Sequence, residues 1–459
     1  MLRFFDFLVR HFLMLLLLLI VAGAAYWAYF NPYSLGDSGT YLFLIGAQLL
    51  LWAVFHYRRV FFLVVMISFL LAGTNVPFRG IWGAARWPVL LCAGIVGLVL
   101  WLKEEKHHFG AIHLLALFCV VAALTSAVVS AFPRTALLKS MSLLLLFAYT
   151  TSGARISILN REWQYPRTLV TVCEVAAYLT GISYFGAHFP IFGNPNSLGA
   201  VLGVVVVPLL AWGLMIADST MLRRRRAFAL AISASLLVVS HSRSGLLAGI
   251  IASAFLLLSL KRYRFFLRCA TAGVAVVAVV GIWSPDLIWR SADTVQSDLI
   301  YKGHRNSGLL ASRRQPWDAT LATIQSHPFL GGGFGTTETG AEDERGASTF
   351  STTAGTSREH GNSYLALLEW VGLLGIVPFL LLLGCVLLEV RAVSRYMRHT
   401  LDGSHPAIPL AMVCLAGLVG TLFEDWLFAV GYYLTVFVWS TVFCLADTTR
   451  RTIRVPTAA

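Results

Sequence analysis

The stretch FLMLLLLLIVAGAAYWAYF, Phe12 to Phe30, carries no charged side chain. As a helix it is long enough to cross the hydrocarbon core of a bilayer, which takes about 20 apolar residues. It follows Arg3 and Arg10 and closes on Tyr26, Trp27, Tyr29 and Phe30 rather than on a small-residue cleavage site. It therefore reads as a retained signal anchor with an aromatic belt. Comparable runs recur at 39–56, 60–77, 85–102, 109–131, 135–151, 166–186, 196–217, 227–241, 244–260, 265–284, 361–389, 406–424 and 427–446. The expectation is an all-α polytopic membrane protein of about 12–14 transmembrane helices.

Composition agrees. Of 459 residues, 58% are hydrophobic and 12% charged, where soluble proteins carry roughly a quarter charged. A soluble enzyme and a single-pass receptor are both excluded. The excess of 35 Lys+Arg over 22 Asp+Glu sits in short connections between apolar runs, which points to topology rather than to nucleic acid. With a cytoplasmic N-terminus, the connections holding Arg58 and Arg59, Lys103 to His108, Arg155 to Arg167, Arg223 to Arg226, Lys261 to Arg264 and Arg391 to Arg398 all fall on the cytoplasmic side, as do Arg450, Arg451 and Arg454. The seven cysteines lie singly inside the runs, as small packing residues do, without the spacing of a disulfide framework or a zinc site.

Four regions result: N-terminal transmembrane helices over 1–190, central helices around Arg243 over 191–285, a large extracytoplasmic loop with an amphipathic helix over 286–360, and C-terminal helices with a cytoplasmic tail over 361–459. A polar loop of this length is usually functional or disordered. Its stretch from Ser312 to Ser326 has the mixed helical spacing of a surface helix. Gly331 to Gly335 is expected to end that helix flexibly, and Thr336 to Ser357, rich in Gly, Ser, Thr and acidic residues, is expected to be mobile.

Outside the cytoplasm an enzyme has no ATP and must use a pre-activated substrate, so anion-binding groups and a base on that side are the informative residues. Ser240 to Gly245 places Arg243 at the outer membrane surface, where a guanidinium is costly unless it is paired or lines a wet cavity. The loop offers Arg305, Arg313 and Arg314, whose forks suit diphosphate oxygens. Arg358 to Leu365 brings Glu359 and His360 to the outer boundary; His360 accepts a proton near neutral pH, and Glu359 either orients it or is itself the base. Metal chemistry finds little support: the histidines are scattered, and Glu342-Asp343-Glu344 lies in the Gly/Ser/Thr-rich stretch. Glu424-Asp425 is expected to pair with a basic residue or to cap a helix.

These residues resemble the O-antigen ligase and polymerase family of bacterial envelope proteins. The resemblance rests on the Asn194-Pro195-Asn196 turn, Ser242 to Gly245, and the loop pattern Arg313, Trp317, His327-Pro328, Gly331 to Gly335. It closes with His360, Asn362, Tyr364 and Leu365 leading into Glu369, Gly372 and Gly375, with Gly361 separating His360 from Asn362. The resemblance implies a fold like the GT-C class of polyprenol-dependent membrane enzymes. It also implies an inverting, metal-independent and cofactor-free glycosyltransferase of the bacterial inner membrane, with both termini cytoplasmic and the active face periplasmic. Its donor would be an undecaprenyl-diphosphate-linked glycan and its acceptor a glycan, lipid A-core or protein, among membrane lipids and without nucleic acid. Carried over, Arg243 and Arg313 would hold the diphosphate and His360 would activate the acceptor or stabilise the leaving group. Arg305, Arg314, Glu359, Asn362 and Tyr364 are substrate-binding candidates. Ligation to a lipid core, polymerisation of repeat units and protein O-glycosylation differ only in the acceptor and stay open.

The rival class is a transporter. Transporters concentrate ionisable residues at the bilayer midplane. In this chain Lys139, Glu174 and Glu369 are the exceptions at mid-span positions, and the other candidates gather at one face.

Overall fold

The computed structural model describes residues 60–75, 79–103, 110–192, 194–264, 311–337 and 359–454, with a few isolated positions besides. Among the described residues the chain is all-helical, without strands. It is a polytopic membrane protein, with six described helices long and apolar enough to span a bilayer. The expected runs at 12–30, 39–56 and 265–284 lie wholly or mostly outside the described residues.

In chain order the helices are α1 (Phe61–Gly73), α2 (Arg79–Lys103), α3 (Ala111–Val128), α4 (Pro133–Thr150), the short α5 (Gly153–Ile158), α6 (Gln164–Gly181), α7 (Pro195–Val201), α8 (Val207–Met215), α9 (Thr220–Val239), α10 (Arg243–Ser259), α11 (Ala311–Ser326), α12 (Ser363–Thr400), α13 (Ala407–Gly420) and α14 (Tyr433–Thr449). A π-helical turn, Leu202–Val206, joins α7 to α8 into one span. The polar positions that interrupt the apolar runs are the caps. Asn194 accepts from the N–H of Asn196 ahead of Pro195 at the first turn of α7. Ser242 caps α10, and Asn362 caps α12 through the N–H groups of Tyr364 and Leu365. One boundary differs from expectation: α12 runs on through the basic stretch Arg391 to Arg398 and stops only at left-handed Leu401. Neither a helix breaker nor a cap occurs earlier in that stretch.

The bundle has two chemically distinct ends. At one, the Ser363 N–H donates to the Thr421 carbonyl (3.0 Å), the Asn75 N–H to Ile191 (2.8 Å), and Arg86 to Gly431 (2.7 Å). At the other, Arg155 makes a fork to Asp447 (2.5 and 2.6 Å), Arg451 pairs with Glu162 (3.0 Å), Arg226 donates to the Gly213 carbonyl (2.6 Å), and Trp212 donates to Gly403 (2.9 Å). Arg155 and Arg226, from two of the basic connections, and Arg451, from the basic C-terminal stretch, lie at this second end. The candidate chemistry gathers at the first.

Candidate functional site

The turn between α13 and α14, residues 421–432, is the hub of the first end. Glu424 Oε1 accepts from Ser244 Oγ on α10 and from Arg313 Nη2 on α11, each at 3.2 Å. Arg313 Nη1 donates to Glu359 Oε1 at 3.0 Å. The Glu424 carbonyl accepts from Ser363 Oγ (2.7 Å), and that hydroxyl accepts from the Leu427 N–H (3.1 Å). Three stretches remote in sequence, Ser242–Ser244, Arg313 and Glu359–Ser363, are thereby tied to one turn. Burial pushes the Glu424 carboxyl above its ordinary pKa, and the Arg313 guanidinium opposes the shift. Arg313 also lies over Gly361, where an added Cβ would stand 2.5 Å from Nη1. Arg243, at the start of α10, is near enough to Arg313 for the two guanidiniums to repel.

His360 is 2% exposed. Its backbone N–H donates to Asp425 Oδ2 (2.9 Å), and each ring nitrogen faces a carboxylate: Nδ1 is 3.5 Å from Asp425 Oδ2, and Nε2 is 3.3 Å from Glu369 Oε2. The ring meets Trp370 edge to face with centroids 5.4 Å apart. Burial would raise the Asp425 carboxyl, but hydrogen bonds from the His360 ring and backbone N–H together outweigh it and hold Asp425 below the usual carboxylate range.

The walls around His360 are set by a break in α12. At Gly372 the backbone leaves the helix (φ 66, ψ −176), and the segment after α11 fills the gap. The Gly332 N–H donates to Glu369 O (2.9 Å), Gly333 N–H to Trp370 O (3.1 Å), Leu373 N–H to Pro328 O (2.8 Å) and Leu374 N–H to Phe329 O (3.1 Å). These bonds satisfy backbone groups that the break would otherwise orphan inside the membrane. A Cβ on Gly331 would lie 2.5 Å from the Trp370 carbonyl carbon, so the two backbones touch. The expectation that Gly331 to Gly335 is flexible is thus corrected: these glycines allow a close dock rather than a loose end. Thr336 and Thr337 are buried beside it, and the rest of the stretch expected to be mobile lies outside the described residues.

His360 and Asp425 open onto a cleft of about 570 Å³, walled by Arg86 and Trp87 of α2, Lys139 of α4, Phe334 and Trp370. A cavity of this size and mixed lining suits part of a large amphiphile.

The structure brings Arg313, Glu359 and His360 together with Arg243 close by. Asn362 spends its side-chain oxygen on the cap of α12, and the Tyr364 hydroxyl donates to the Leu418 carbonyl (2.8 Å), bracing α12 against α13. Arg314 points away, 84% exposed in its side chain, and among the described residues its acidic neighbour is Asp318 at 4.0 Å. Arg305 lies outside the described residues. Glu424 does pair with a basic residue, Arg313, while Asp425 meets His360. Two cleft residues escaped the sequence reading. Lys139 was visible only as an ionisable residue within a run, and Arg86, inside the run 85–102, was not singled out.

Fold and site define an all-helical membrane protein with a charged cluster at one end of its bundle and a cleft beside a buried histidine. The family model described as O-antigen ligase matches residues 228–380, the stretch that carries Ser242 to Gly245, α11, the glycine dock, His360 and the break in α12. The match covers one third of the chain, and over that stretch the chain is similar to O-antigen ligases. No curated protein matches the chain.

Proposed function

We propose that the protein moves an oligo- or polysaccharide from an undecaprenyl-diphosphate carrier to an acceptor at the periplasmic face of the bacterial inner membrane. The observation that carries the reading is His360, bracketed by Asp425 and Glu369 on the wall of a cleft that also presents cations, at the end of the bundle opposite the basic connections. By the positive-inside rule the end that carries Arg155, Arg226 and Arg451 faces the cytoplasm, which puts His360 on the periplasmic side.

In the transfer, the acceptor hydroxyl attacks the anomeric carbon, the bond from that carbon to the diphosphate oxygen breaks, and the electron pair leaves on undecaprenyl diphosphate. A single displacement inverts the anomeric centre. The acceptor proton passes to the Asp425–His360 pair. Asp425 stays ionised and 30% accessible in its side chain, and the ring shares the proton between two carboxylates. Fixed guanidinium and ammonium groups neutralise the departing diphosphate in the role a divalent cation has elsewhere. Arg313, over Gly361, and its neighbour Arg243 supply this charge at the rim, and Glu359 holds Arg313 in place.

The test is transfer by purified protein in proteoliposomes containing EDTA, given an undecaprenyl-diphosphate oligosaccharide and lipid A-core, glycan or protein acceptors. Product from wild type, lost in His360→Ala and reduced in Arg243→Ala and Arg313→Ala, is the expected result, and the attachment point names the acceptor. Transfer that needs a divalent cation, or that survives all three substitutions, sinks the proposal.

A further inference from the structure

Among the described residues, two cations that line the cleft have no carboxylate partner. Arg86 enters from α2 and Lys139 from α4, and both line the cleft beside His360. Arg86 is seven residues beyond Arg79 and Lys139 six beyond Pro133, so they lie about 10 and about 9 Å from the starts of their helices at 1.5 Å per residue. A charge at that depth is costly and marks a functional site by default.

Arg86 is anchored but not neutralised. Its Nη1 donates to the Gly431 carbonyl (2.7 Å), its guanidinium carbon lies 5.8 Å from the Phe69 ring centroid and 5.2 Å from that of Trp87, and its buried Nε has no hydrogen-bond partner among the described residues. Lys139 packs its stem against Gly335, and among the described residues no carboxylate pairs with its ammonium. Of the residues that line the cleft, Asp425 is the one acid, and it is committed to His360. Arg313, in contrast, already faces two glutamates.

We infer that Arg86 and Lys139 form an anion-binding subsite in the cleft, separate from the Arg243–Arg313 rim, and that this subsite takes one phosphate of a polyprenyl diphosphate while the other lies toward His360 and the rim. The aromatic platforms of Phe69 and Trp87 hold the Arg86 guanidinium flat while leaving edge N–H groups for phosphate oxygens. Lys139, a point charge on a flexible stem, adjusts to the same phosphate. The apolar wall formed by Leu138, Phe334, Phe428 and Val430 suits the first isoprene units. The inference rests on the lipid-diphosphate reading above and adds which residues receive the phosphate away from the rim.

The same chemistry would also attract an anionic phospholipid headgroup, so the experiment carries both probes. Full-length protein in zwitterionic nanodiscs is titrated with undecaprenyl diphosphate and, separately, with phosphatidylglycerol, for wild type, Arg86→Gln, Lys139→Met, the double variant and Lys139→Arg. Each single neutralisation is expected to weaken undecaprenyl diphosphate about tenfold and the double variant about a hundredfold, with Lys139→Arg near wild type and phosphatidylglycerol binding unmoved. Folded variants that bind undecaprenyl diphosphate like wild type overturn the subsite alone, leaving the donor reading intact. Parallel loss of phosphatidylglycerol binding makes the pair a headgroup anchor and also overturns it. Wild type that binds no undecaprenyl diphosphate overturns the donor reading and the subsite with it. Should a variant fail to fold, wild-type protein answers the same question: undecaprenyl diphosphate should protect Lys139 from amine acylation, and unprotected Lys139 at saturating lipid contradicts the inference.

Discussion

Gly372→Ala tests whether the dock between the α11–α12 connection and the break in α12 holds His360 in place. At φ 66 and ψ −176 the backbone occupies a region essentially reserved for glycine, and an L side chain there costs about 1–3 kcal/mol. The new Cβ would also lie 2.6 Å from the Gly331 nitrogen and against the Phe329 carbonyl, so the docked segment must move outward. Losing two of its four backbone hydrogen bonds adds about 1 kcal/mol each. The total destabilisation is about 3–5 kcal/mol. Because Glu369 and Trp370, which contact His360, belong to the same break, a displacement of about 1 Å should also cut transfer by about a hundredfold in the molecules that remain folded. Thermal unfolding of the purified protein and transfer in proteoliposomes measure the two effects. Gly384→Ala, in the same helix with no atom within 4 Å of an added Cβ, is the control and should be neutral or slightly stabilising. A Gly372→Ala protein with wild-type melting and wild-type transfer would refute the dock.

Asp425→Asn should lower Tm at neutral pH. The native carboxyl is held below its ordinary pKa by His360, so its stabilising contribution is complete above about pH 4 and is lost as pH falls through the lower native value; the Tm gap between wild type and variant should close in that acidic window, and a gap independent of pH contradicts the ion-pair account. Arg313→Ala should reduce transfer at least tenfold more than Arg314→Ala, since Arg313 ties Glu359 to Glu424 while Arg314 faces outward; side-by-side transfer rates decide it. Gly203→Leu should prevent α10 from approaching the α7–α8 span, because even a Cβ at Gly203 would lie 2.6 Å from the Gly245 Cα; Tm falls, and an unchanged Tm removes the close crossing from the account.

The helices were legible because each span must hide its own backbone polar groups and so declares itself as an apolar run bounded by charges or caps. The end of α12 was not, since nothing in Arg391 to Arg398 forbids helix. The site was legible where charge sits beside an interruption, as at Ser242-Arg243-Ser244 and Glu359-His360. The glycines of the dock gave a pattern without its meaning: left-handed glycines imply either freedom or close approach, and only the Glu369 to Leu374 backbone decides between them. Arg86 and Lys139 were hidden because their partnership depends on which faces of α2 and α4 meet, and neither helix reveals that alone. Asp425 likewise acquires its role only when the 421–432 turn folds under His360.

The most direct test of the account is an experimental density map of the protein in a nanodisc saturated with undecaprenyl diphosphate. The account predicts the two phosphates inside the cleft, one near Lys139 and Arg86 and the other toward His360, with the isoprene chain leaving past Phe428 and Val430. Diphosphate density elsewhere on the bundle, with the cleft beside His360 empty at saturation, would contradict it.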